Sequence, residues 1–529
     1  MVAFRRPWQA NLVVFISNTC IMTLELVAGR ILAPTIGVSL YTWTSITGVI
    51  LAGLSLGNYI GGKLADRIAS PRVLMLLLWL ASTASLAVLY TNVLMGDISW
   101  PKTISLPMRI LLLTSGVFFL PSVALGTISP MVVKLTLVDL GRTGEVVGQI
   151  YAASAAGSIV GTFATGFVLI SMFGTRVIVA GVAGVLFILG FLIGFRHLHR
   201  ITLVLAILAA TLASFSIYRR DLIRSPCWDE TNYFCIKVSE QEQAGKPIRV
   251  LTLDRLVHSY VDLLDPLHLV YGYEQLYGAV LAVTMPQSPL SAFFIGGGGY
   301  TFPRYLEAVA PGSRVVVAEI DPGVTRVAHE ELGLPYNTGI ITYNDDARSF
   351  LARDQNGRYD LIVGDAFNDF SVPYHLTTLE FNELVKARLK PGGIYMVNLV
   401  DGRQGLFVRA YVRTMRRTFQ NVYVAPSVSP NLEDTIRQTF VVVASDRKLP
   451  LGSDQTGDTD LEPGLHPDAD TNGNPSTQDQ EKLNIPALLA QFLTSEQLEA
   501  ILNARPAPIL RDDFVPVDNL LAPVFVDSG

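Results

Sequence analysis

FFIGGGGY (Phe293–Tyr300), AEIDP (Ala318–Pro322), YNDDARSF (Tyr343–Phe350), YDLIVGDAFND (Tyr359–Asp369) and KPGGIYMVNL (Lys390–Leu399) stand in order along the chain. Each of the first four joins a short apolar run to a glycine or an acid. Ala292–Ile295, Arg314–Glu319, Ile340–Tyr343, Tyr359–Gly364 and Ile394–Leu399 read as strands separated by helical patterns. That rhythm predicts a parallel α/β sheet covered on both faces. Ligands of such sheets bind outside the carboxyl ends of the strands.

Gly296, Gly297, Gly298 and Gly299 end the first strand, where backbone without side chains lets a ligand approach closely. Glu319 follows Gly299 by 20 residues and ends the second strand, placed to hydrogen-bond ribose hydroxyls. Asp346, followed by Ala347, ends the third and suits an adenine amino group; Asp365 ends the fourth. Thr301 and Phe302 stand where a GxGxxG pattern would carry its last glycine, so the dinucleotide fingerprint is not met. An acid at one strand end is ordinarily a cap. Four strand ends in register predict a nucleoside site.

Outward from this core the chain changes character. Residues 1–218 hold thirteen Lys or Arg and five acids, a charge of +8, so with −5 for the whole chain the remainder carries −13. An acidic soluble half excludes a phosphate-backbone reader, which needs clustered cations. Apolar segments near 11–33, 39–61, 73–95, 109–138, 146–172, 175–195 and 200–218 mostly reach the roughly 20 residues that cross a hydrocarbon core. Seven spans are expected, the first too long for a removable signal peptide. Small residues recur at Gly53, Gly57, Gly61 and at Ala153, Gly157, Gly161, spacing that lets helices touch in lipid. Glu25 and Arg30 in the first span predict an ion pair or a polar cavity. With the N-terminus inside, nine cations face the cytoplasm and seven the other side. An odd number of spans would then put the soluble half outside, and the sequence leaves its side open.

The expected domains are a multi-pass bundle (1–218), a linker and small β-strand lead-in (219–290), a Rossmann-like nucleoside-binding domain (291–445), a disordered acidic insertion (446–482) and a C-terminal helix and tail packed on the transferase domain (483–529). A helix is expected from Tyr271 to about Thr284 and another at Ser495–Asn503. Three cysteines make no disulfide scaffold: Cys20 reads as core, and Cys227 and Cys235 can pair only where the domain faces an oxidising space. Their spacing is no metal site, and no metal is expected.

These motifs together resemble spermidine synthase, the polyamine aminopropyltransferase family, within the class I methyltransferase fold; the resemblance covers roughly 230–445. It is closest to the membrane-fused spermidine-synthase-like proteins, whose subgroup the apolar half and the DDFVPVD tail (Asp512–Asp518) also resemble. The resemblance implies a transferase of polyamine biosynthesis in the plasma (inner) membrane. Its co-substrate would be decarboxylated S-adenosylmethionine, with ordinary S-adenosylmethionine as the alternative. It implies Asp365 as the base that deprotonates an attacking amine, Glu319 on ribose, and Asp346 and Ala347 at adenine. Tyr273, Asn368, Asp369, Tyr374 and His375 fall at or near the acceptor positions. The partners implied are a small, putrescine-like amine and the lipid bilayer, with self-association open and nucleic acid excluded.

The departures are as informative. Gly299 replaces an amine-contacting aspartate of the family's GGGDG loop, and Tyr300 a glycine. Asn368 replaces the second aspartate of D-x-x-D-P, with Asp369 displaced by one; Tyr273 replaces a histidine, and Phe234 a glutamine. Losing two charge-assisted hydrogen bonds costs about 1.5–3 kcal/mol each, which weakens putrescine as acceptor. A methyltransferase on a membrane-delivered substrate and a non-catalytic nucleoside sensor regulating the bundle remain as alternatives.

Overall fold

The computed structural model describes residues 7–527 apart from 97, 99, 102–103, 138–139, 195–218, 244, 286–288, 367–371, 429–436 and 453–482. By mutual contacts the chain divides into two compact units, residues 1–237 with 253–256, and 238–252 with 257–528.

The first unit is helical: α1 (Pro7–Ile36), α2 (Leu40–Ile68), α3 (Pro71–Gly96), α4 (Leu106–Gly126), α5 (Ile128–Thr136), α6 (Thr143–Ala164) and α7 (Thr175–Gly194). A π-helical turn, Thr165–Leu169, continues α6 to Met172. With α4 and α5 read as one segment and α6 run on to Met172, six segments among the described residues are long and apolar enough to cross a membrane. The seventh expected span, 200–218, lies outside the described residues. The glycine stripes are seams. A Cβ on Gly57 would lie 2.2 Å from the Val123 carbonyl oxygen of α4, and one on Gly157 2.2 Å from that of Phe15 in α1. Thr19 of α1 donates its hydroxyl to the Gly157 carbonyl at 3.0 Å across the second seam. Packing, not a substrate path, therefore accounts for these small residues.

β1 (Asp229–Glu230), β2 (Cys235–Gln243), β3 (Lys246–Leu253) and β4 (Leu256–Asp262) form a four-stranded sheet in that order. Cys227 and Cys235 are disulfide-bonded, and Cys20 is free and buried.

The main sheet holds β5 (Ser291–Ile295), β6 (Arg314–Ala318), β7 (Ile341–Tyr343), β8 (Tyr359–Gly364), β9 (Leu389–Gly402), β10 (Asn421–Pro426) and β11 (Arg437–Ser445), in the order β10-β11-β9-β8-β5-β6-β7. The five strands expected from the motifs pair in parallel. The purely parallel sheet is corrected: β11 runs antiparallel to both β9 and β10. Helices α8 (Gly272–Thr284), α9 (Thr301–Val309), α10 (Pro322–Glu331), α11 (Ala347–Arg353), α12 (Leu379–Arg388) and α13 (Leu406–Met415) accompany this mixed α/β sheet. Phe293, Val316, Ile362, Met396 and Val442 are fully buried along its strands, each contributing roughly 1.5–3 kcal/mol relative to exposure. The acidic excursion starts later than 446, since Leu449 and Leu451 are buried in this core. Its remainder, 453–482, lies outside the described residues. The C-terminal tail packs on this unit, with the Leu510 carbonyl accepting from Leu379 N–H at 2.8 Å.

Gly57→Val and Gly157→Val each force a carbonyl out of its seam at about 1–3 kcal/mol. Both should melt at lower temperature than the parent in detergent, whereas Gly48→Ala, whose Cβ meets nothing within 4 Å, should not.

Candidate functional site

Strand register builds the site. Ile295 pairs with Ala318 and Gly364, Ala318 with Tyr343, and Gly364 with Val397, so β5, β6, β7 and β8 end level while β9 runs on to Gly402. The ladder continues one residue further: Gly296 N–H donates to Ala318, Glu319 N–H to Tyr343 and Asp365 N–H to Ile295, at 2.9–3.0 Å. Gly296, Glu319, Asp365 and Asn398 therefore form one row along the carboxyl edge.

Gly296 has φ +92°, and a Cβ there would lie 2.5 Å from the Asp365 carbonyl oxygen. Only glycine lets the two loops approach this closely. Glu319, 6% exposed, accepts from Gly297 N–H at 2.7 Å and Asp321 N–H at 2.9 Å. It thereby clips the glycine loop to β6, and each oxygen keeps a lone pair for a hydroxyl. Burial raises its pKa, partly offset by those N–H groups. Tyr300 adopts φ +55° and is fully buried, its hydroxyl bonding Thr325 and Thr342 at 3.2 Å each. A left-handed tyrosine is a strained choice, held here by the ring's burial under the loop. Gly299 cannot carry a side chain either: a Cβ would lie 2.6 Å from the Ser259 Cβ, while Ser259 Oγ accepts from Gly299 N–H at 2.8 Å. The carboxylate missing at this position is excluded by its neighbour.

Asp365 is gripped at both oxygens. Tyr273 O–H donates to one and the Asn398 amide to the other, each at 2.9 Å. Burial raises its pKa, and the bonds from Asn398 and Tyr273, with His258 nearby, pull it part of the way back. Burial, and then the charge of Asp365, push Glu274 well above the ordinary range. Glu274 Oε2, Asn398 Oδ1 and Tyr277 O–H are buried without a hydrogen-bond partner. Tyr260, Tyr271, Tyr273, Tyr277 and Phe302 form a chain of rings with successive centroids 4.9–5.6 Å apart. Close carboxyls, spare acceptors and aromatic faces form a place prepared for a cation with N–H donors.

Asp346 does not end its strand as expected: β7 stops at Tyr343, and Asp346 is the N-cap of α11 with its carboxylate occupied. It caps α11 through Ser349 N–H at 2.8 Å and meets His375 Nε2 at 2.9 Å. Ala347 is buried at the first helical position. Arg348 joins this edge to the tail, donating to the His375 carbonyl at 2.8 Å and to both oxygens of Asp512 at 2.8 and 2.5 Å. His375 is thus held at Asp346, and Tyr374 is 59% exposed. Asn368 and Asp369 lie outside the described residues. Glu274, Tyr277 and Asn398 were absent from the expected site. Asn398 was visible as one amide in the apolar run IYMVNLV; the buried Glu274 lay beside Tyr273 in YGYEQLY.

No family model matches the chain. It is 30% identical over 164 residues to a probable polyamine aminopropyl transferase of Bifidobacterium longum, covering 31% of this chain and 36% of that protein. It is 28% identical over 210 residues to the polyamine aminopropyltransferase of Vibrio vulnificus, covering 38% of this chain and 67% of that protein. The chain thus spans between about a third and two thirds of the length of these relatives, which are transferases. A solved probable spermidine synthase from Corynebacterium glutamicum overlaps with a TM-score of 0.39 at 23% identity, covering 42% of this chain and 80% of that one. Over these 164 and 210 residues the chain is similar to polyamine aminopropyltransferases.

Folding raises the pKa of Glu274, so the stability of its protonated form is present at low pH and lost as pH rises through the shifted value. Glu274→Gln should accordingly raise the melting temperature at pH 7.5, and the gap from the parent should close as pH falls to about 5. Equal melting at both pH values would show that Glu274 carries no such penalty.

Proposed function

We propose that this chain is a membrane-anchored, spermidine-synthase-like aminopropyltransferase. Decarboxylated S-adenosylmethionine is the donor and an amine the acceptor. The helical half anchors it in the inner membrane. The observation that carries the reading is Asp365, fixed at both oxygens beside the glycine loop and next to acceptors that lack donors.

The adenosine lies along the strand tips. Its ribose takes the lone pairs of Glu319, its phosphate-free chain crosses Gly296–Gly299, and its base reaches the Asp346–Ala347 edge. The sulfonium favours the acidic row. An ammonium acceptor gains Asp365, Glu274 and Asn398 as hydrogen-bond acceptors and lies against the tyrosine rings. Its charge relieves the penalty that two close buried carboxyls otherwise carry. Asp365 takes the proton of the attacking nitrogen. The new N–C bond forms as the C–S bond breaks, and the electron pair stays on sulfur, leaving a neutral thioether. Tyr273 and Asn398 hold the carboxylate toward the nitrogen and keep Asp365 from rising further.

With no side chain tolerated at Gly299, the far end of a diamine has one carboxylate fewer, so acceptors with a single ammonium group are favoured over putrescine. The test is incubation of purified protein with each donor and a panel of mono- and diamines, scored by mass. A gain of one aminopropyl group on a monoamine is expected; gain of one methyl group would overturn the aminopropyl reading in favour of methyl transfer.

Asp365→Asn should cost about 10²–10⁴-fold in turnover with donor binding intact. In the parent, the acid limb of the rate should lie above the 3.8 of an ordinary aspartate. Tyr273→Phe removes a bond to the ionised carboxylate, so that limb should move to still higher pH. An unmoved limb would rule out Asp365 as the titrating base.

A further inference from the structure

The helices fix which end of the bundle leads into the catalytic half. α1 starts at the N-terminal face, and the six apolar segments alternate in direction, so α7 ends at Gly194 on that same face. Residues just beyond the undescribed 195–218 stand at the other end. Arg176, at the start of α7, donates to the Leu222 and Arg224 carbonyls at 3.3 and 2.9 Å. Arg220 lies over the ring of Tyr90, near the end of α3, 5.9 Å from its centroid. Arg30, near the end of α1, donates to the Tyr233 and Thr231 carbonyls. Thr175 N–H donates to Glu230 at 2.8 Å. The lead-in to the soluble half is therefore seated on the face opposite the N-terminus.

One feature says which face that is. The loop seated there is closed by the Cys227–Cys235 disulfide, a bond that persists in oxidising compartments and is rare in the cytosol.

We infer that the catalytic half works on the oxidising, extracytoplasmic side of the membrane, the side on which the Cys227–Cys235 disulfide lies, on an amine presented there. The inference rests on the membrane-anchored reading above. Its consequence for the reaction sequence is a transport step: an adenosyl donor bearing a sulfonium and an ammonium group crosses a bilayer only on a carrier, so export must supply it.

The test uses the full chain in spheroplasts with Cys20→Ser, and single reporter cysteines at Leu264→Cys, 86% exposed in the second unit, and Arg72→Cys, exposed in the first turn of α3. A membrane-impermeant maleimide should label the Leu264 reporter in intact spheroplasts and the Arg72 reporter only after permeabilisation. Without a reporter, alkylation under denaturing conditions followed by reduction should release two thiols, and Cys227→Ser should abolish that release. Reversed labelling in a membrane-bound protein, or two thiols free before reduction, would overturn this inference and leave the anchor intact. Recovery in the soluble fraction would overturn the anchor and this inference together, while the amine assay above judges the chemistry separately.

Discussion

Everything at the candidate site depends on strands β5, β6 and β8 ending at one level, beside Asn398 of the longer β9. Parallel pairing from Ala292 to Ile295 leaves Gly296, Glu319, Asp365 and Asn398 in a single row. Gly296 is the clearest consequence, since the Asp365 carbonyl occupies the space a Cβ would need. Glu319 then ties the loop down from the adjacent strand. Burial raises Asp365, Glu274 and Glu319 alike, and the charge of Asp365 pushes Glu274 further up. That cost is useful only if a cation arrives to offset it.

The departures from the aminopropyltransferase pattern are structurally coherent. Ser259 fills the place a side chain at position 299 would take, and Tyr300 accepts a left-handed backbone because its ring fills the space beneath Gly297. These are paired adjustments of β4 and the glycine loop. The result keeps the row of strand-end acids and leaves position 299 without a carboxylate, while Glu274 and the tyrosine rings remain.

The parallel strands and their ends were legible in the sequence because glycines and acids follow short apolar runs there; Tyr359–Gly364 begins and ends as expected. The antiparallel strands were not. β11 is a near-continuous apolar run, TFVVVAS, and such a run shows burial without direction. Asn398 was missed because one amide in an apolar strand gives no periodic signal, though it holds Asp365. Glu274 was passed over because a glutamate in the first turn of a helix ordinarily reads as a favourable surface residue, and only packing shows it to be buried. The disulfide was left conditional, since spacing alone cannot bring two cysteines together.

Calorimetric titration of an adenosyl thioether, the product side of the proposed reaction, tests the central claim most directly, because it needs neither the acceptor nor turnover. The parent should bind it, and Glu319→Ala should weaken binding at least tenfold, about 1.4 kcal/mol, while the soluble half stays folded by circular dichroism. Equal affinity in parent and variant, or no binding to the parent, would contradict a nucleoside site at these strand tips.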